Sequence, residues 1–124
     1  MDYRTLCLVG TLVTLPFGLG FALLPQPMLA LYGMTPVGAA LALMGRYFGV
    51  TLIAFAAAMW GFREIRPDGV QQTAARLLAA AELCGLLVSL QGVMAGTVNA
   101  LGWSTVVIYG FFTVAWARLA MRRA

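Results

Sequence analysis

Two charged residues, Arg46 and Glu82, stand inside long apolar stretches of this 124-residue chain. A charge near the centre of a bilayer costs at least about 2.5–3.5 kcal/mol, so each residue needs a partner, a route to headgroups, or a task. A direct ion pair is one answer, and depth counts against it. Along ideal helices Arg46 lies about 25 Å from Arg63, and Glu82 about 9 Å from Arg76. A simple hairpin then leaves them offset by about 15 Å, and side chains lean toward their own helix N-terminus. A helix starting near Val70 would bring them about two turns closer. Other partners for Arg46 are Ser89 and Gln91, with Tyr47, Trp103 and Tyr109 toward the outer half, or outer headgroups reached by its long stem. Glu82 reads either as a protonated acid bonded to a neighbour or as a proton or cation site.

Glu82 heads a pattern. Glu82, Gly85, Ser89, Gly92, Gly96 and Asn99 recur at steps of three and four, the spacing of one helix face, and every member is small or polar. Leu83, Leu87, Leu90 and Met94 occupy the opposite face and suit lipid. Gln91 falls half a turn from the Glu82 stripe, toward a second neighbour or an oligomer contact. Comparable stripes are Gly38, Ala42, Gly45, Gly49 and Ala56, with Arg46 at the edge; Gly10, Thr14 and Gly18; and Gly110, Thr113, Ala117 and Ala120. Small stripes let helix backbones approach closely in lipid, which is one reading. The other is that the Glu82 stripe lines a narrow polar cavity. Polar groups in spans face a bundle interior under either.

Composition narrows the chemistry further. The chain is 62% hydrophobic and 10% charged, where soluble domains carry about 25% charged residues. Eight Arg supply all the basic charge, with no Lys and no His, so imidazole ligands and bases are excluded. Cys7 and Cys84 fit no metal or redox spacing and read as small buried packing residues. Glu82 has no acidic neighbour in the spans. No GxSxG, P-loop or dinucleotide fingerprint occurs, and GLGF at residues 18–21 lacks the strand context a GxGxxG needs. These features predict a non-enzyme with no catalytic residue, no metal site and no cofactor.

A hydrocarbon core about 30 Å thick takes about 20 apolar residues per helix, and four stretches qualify: residues 6–24, 37–62, 74–98 and 103–121. The expected fold is all-α, an integral membrane four-helix bundle in a single transmembrane domain over residues 1–124. An apolar outer loop, 25–36, lies along or dips into the membrane surface, and a charged cytoplasmic loop covers 63–73. The first span exceeds a signal-peptide apolar run and is read as retained. The second and third spans are expected to form the polar centre. Trp60, Phe62, Trp103, Tyr3 and Trp116 are read as interface anchors.

Arg4, Arg63, Arg66, Arg76, Arg118, Arg122 and Arg123 fall on one side of this arrangement, and the other two loops carry no charge. The positive-inside rule then puts both termini in the cytoplasm, with the protein multi-pass in an inner (plasma) membrane. The pI of 9.7 is explained by topology, aided by anionic headgroups, and not by nucleic acid.

The P-x-P-x-L-x-L-Y-G segment at residues 25–33, the G-R-x-x-G element from Gly45 to Gly49 and the N-A-L-G-W turn from Asn99 to Trp103 resemble small bacterial four-helix membrane proteins of the DoxX-like kind. The likeness spans the chain and implies an integral membrane protein. Two functions are expected from the residues. One is helix–helix association, as an accessory or scaffold subunit or homo-oligomer, with lipid and other membrane subunits or itself as partners. The alternative is a small transporter or channel with a polar path at Glu82, Ser89, Asn99 and Arg46.

Overall fold

The computed structural model describes residues 1–122; Arg123, assigned above to the cytoplasmic charges, lies outside them. The chain folds into five helices: α1 (Tyr3–Leu23), α2 (Pro25–Leu31), α3 (Ala39–Phe62), α4 (Gly69–Met94) and α5 (Gly102–Met121). No strand occurs among the described residues. The long helices α1, α3, α4 and α5 are each apolar and long enough to cross a membrane, and they correspond to the four expected spans.

Local chemistry sets the helix ends. The Asp2 carboxylate accepts from the Thr5 backbone N–H at 2.7 Å, an N-cap that holds this carboxyl below its ordinary range. Asp68 caps α4 the same way through Val70, so α4 starts at Gly69, about five residues before the expected 74. It stops at Met94 rather than 98. Gly96 has φ of +72°, and the bonds Thr97 N–H to Gly92 O and Gly96 N–H to Val93 O form a Schellman motif. Gly96 and Asn99 therefore leave the helical stripe. Gly33, with φ of +79°, ends α2 by the same pair of bonds, Met34 N–H to Leu29 O and Gly33 N–H to Ala30 O. Segment 25–36, expected as an outer loop, is thus largely a helix, started by Pro25 at its first position, where a missing N–H costs nothing.

The helices stand in the spatial order α3, α1, α5, α4. α1 packs along α3, α4 along α5, and α1 meets α5. α3 and α4, neighbours in sequence, do not run in contact. This corrects the expectation of a second and third span packed as a polar centre.

Two apolar clusters close the ends of the bundle. At the Arg-rich end, Leu6, Cys7, Met59, Leu78, Phe112 and Trp116 join all four long helices in one core. Arg4 and Arg63 both pair with Glu64 there, at 3.9 and 3.1 Å, and Arg63 stacks on the Trp60 ring. At the uncharged end, Phe21, Leu29 and Tyr32 pack together.

Candidate functional site

Glu82 is the fourteenth of the 26 residues of α4, halfway along it, and only 7% exposed. It lines a cavity of about 730 Å³ between the two helix pairs. Among the described residues no hydrogen bond or ion pair reaches its carboxyl, and no other charged side chain joins the lining. Three residues along, the Tyr109 ring of α5 occupies the space a side chain at Gly85 would need. Ser89 and Gly92 follow on the same face and also line the cavity. At Gly92 an added Cβ would meet only a Val98 methyl, at 4.0 Å, so the wall is open there.

The other walls are apolar and aromatic. Phe17 and Phe21 of α1, Phe48 and Phe55 of α3, and Tyr109 and Phe112 of α5 all contribute rings. Tyr32 closes the uncharged end, where its hydroxyl accepts from Thr105 at 3.2 Å. The open side lies between α3 and α4. Met44 and Phe48 on one rim and Cys84 and Val88 on the other line the cavity and are also exposed on the outer flank. The cavity is therefore a groove whose mouth faces the side of the bundle, where a bilayer would present hydrocarbon.

The remaining residues singled out above fall elsewhere. Arg46 is exposed on α3 and does not line the groove. Among the described residues it forms no ion pair with Glu82, and the helices that carry the two residues do not pack along one another. Arg46 is the eighth residue of α3, about two turns from the helix start at the uncharged end, a depth from which a long stem could snorkel to headgroups. Gln91 is exposed on the outer side of α4.

Asn99 sits at the groove's closed end and works as a tie. Its Nδ2 donates to Leu31 O at 2.9 Å, its backbone N–H donates to Tyr32 O at 2.9 Å, and its Oδ1 accepts from Leu101 N–H. Of the four residues expected to share a polar path, Glu82 and Ser89 line the groove, and Asn99 and Arg46 do not.

Gly45 faces Leu29 and Pro25 of α2, and Gly49 faces the α1 backbone at Gly18 and Ala22. Gly38, grouped with them by spacing, is exposed.

Three side chains correct the sequence reading. Cys84 is exposed, while Cys7 is buried. Trp116 is fully buried and Tyr3 nearly so, edge to face at 5.6 Å, in the core rather than in an interface belt; α5 turns its Phe112–Trp116–Ala120 face inward to meet α1.

The aromatic wall was not anticipated. Its signal on α3 was present as Met44, Phe48, Thr51 and Phe55, at helical spacing. It is masked because every face of that helix is apolar.

Fold and site together define a multi-pass membrane protein with one carboxyl buried in a side-opening groove. No protein-family model, curated protein or solved structure matches the chain.

Proposed function

We propose that this membrane protein binds a small molecule within the bilayer and carries it without converting it, with Glu82 as the polar anchor. The supporting observation is the Glu82 carboxyl, buried halfway along its helix and turned into a groove with no internal partner. A buried polar group without a partner is costly, and intramembrane ionisable residues that face a cavity mark substrate and ion pathways. The groove also falls within the roughly 300–1,000 Å³ of small-molecule sites. We place the protein in an inner membrane with both termini cytoplasmic, on its one-sided Arg distribution, and retain the DoxX-like resemblance as part of this proposal.

The test is binding of the neutral apolar dye 1-aminoanthracene to protein in lipid nanodiscs, with empty discs as the blank. Saturable binding is expected in the wild type and its loss in Gly92→Phe, whose ring fills open groove. Equal signals from both would overturn the proposal.

A second reading, assembly as an accessory subunit or homo-oligomer, is favoured by Arg46 and Gln91, which are polar and exposed on α3 and α4. Crosslinking from Arg46→Cys in a Cys84→Ala background tests it. A defined crosslinked species is expected if this face meets another subunit, and its absence in native membranes would overturn that reading.

A further inference from the structure

We propose that the groove takes a lipophilic organic monocation, entering sideways from the bilayer between α3 and α4; the inference rests on the ligand-binding reading above and narrows it to a chemical class. Four observations converge on it. Glu82 is the single charged side chain in the lining among the described residues, and Arg46, the other charge expected within the spans, is exposed and outside the lining. The site therefore offers one carboxyl, able to hold a negative charge against a bound cation, and no positive charge. Its walls carry aromatic rings from three helices, Phe17, Phe48, Phe55, Tyr109 and Phe112 among them, and aromatic side chains attract organic cations, the more so where water is excluded. A bare metal ion is poorly served, because such ions need several oxygen ligands and this wall supplies one carboxyl among hydrocarbon. A quaternary or protonated amine with apolar substituents matches both features: its charge meets Glu82 and its substituents meet the rings.

The route follows from packing. The outer end of the groove is closed by α2 and by the Asn99 bonds to Leu31 and Tyr32. The Arg-rich end is closed by the core around Trp116 and Met59. The remaining side is the gap between α3 and α4, edged by Met44, Phe48, Cys84 and Val88. A solute already dissolved in the bilayer reaches Glu82 through that gap without crossing either end.

The experiment uses tetraphenylphosphonium and its size-matched anion tetraphenylborate, each titrated into full-length protein in nanodiscs against empty discs. Tetraphenylphosphonium is expected to bind saturably and to slow N-ethylmaleimide modification of Cys84 at the mouth. The isosteric variant Glu82→Gln is expected to weaken it at least tenfold, with tetraphenylborate showing no saturable component. Equal saturable binding of both ions, or cation binding unchanged in Glu82→Gln, overturns the inference. If cation selectivity fails while 1-aminoanthracene is still displaced by Gly92→Phe, only the chemical class falls. If the dye also ignores Gly92→Phe, the binding site itself falls.

Discussion

Tyr3 and Trp116 show what a buried polar atom does in this bundle. Their rings fill the junction of α1 and α5, yet the Tyr3 hydroxyl and the Trp116 indole nitrogen are buried without a hydrogen-bond partner among the described residues. Removing an unpaired buried group is close to neutral or stabilising, whereas leaving one costs about 1–3 kcal/mol. Tyr3→Phe is therefore expected to hold or raise the unfolding temperature in detergent. A fall worth more than about 1 kcal/mol would reveal a partner for the hydroxyl. Glu82 differs from these two because its carboxyl borders a cavity. Its residue type and spacing were legible in the sequence. The rings around it come from α1, α3 and α5, far away along the chain, so no local spacing could announce them.

At the scale of elements, α1 and α3 cross where Gly18 meets Gly49. A Cβ on Gly18 would stand 2.9 Å from the Ile53 backbone nitrogen and 3.0 Å from the Gly49 oxygen, and one on Gly49 would run into the α1 backbone at Ala22. Backbone cannot move aside as a side chain can, so overpacking here costs about 1–3 kcal/mol or more. Gly49→Val is expected to lower thermal stability sharply and to broaden the gel-filtration peak. Gly61→Ala, with nothing within 4 Å of the added carbon, is expected to be neutral or stabilising by up to about 1 kcal/mol. A comparable loss in Gly61→Ala would mean that the crossing is not the cause, since both substitutions raise helix propensity. Helix existence was readable from apolar length alone. Helix ends were less so: the Asp68 cap and the Gly96 turn each outweighed the hydropathy boundary, because a satisfied cap fixes where backbone hydrogen bonding starts and stops.

At the scale of the whole molecule, the two helix pairs are held apart over the groove and joined at both ends. The uncharged end relies on Asn99, which links the α4–α5 connection to the end of α2 by a side-chain and a backbone bond. Asn99→Ala removes the Nδ2 and Oδ1 bonds, each worth about 0.5–1.5 kcal/mol. Faster amide exchange is expected around Tyr32–Met34 and residues 99–102, with exchange in the Trp116 core unchanged. Uniform acceleration across the molecule would show that the pairs do not separate locally at this end. Sequence by itself determined four apolar helices and the gathering of charge at one end. In hydrocarbon every backbone group must be paired within its own span, and charge is tolerated mainly at the boundaries; both demands act residue by residue. Tertiary structure alone decided which helices touch. All four long helices carry small-residue stripes, and in lipid such stripes permit close approach without naming a partner. The order α3, α1, α5, α4 turned Arg46 outward, turned Glu82 inward, and opened between α3 and α4 the groove on which function is proposed.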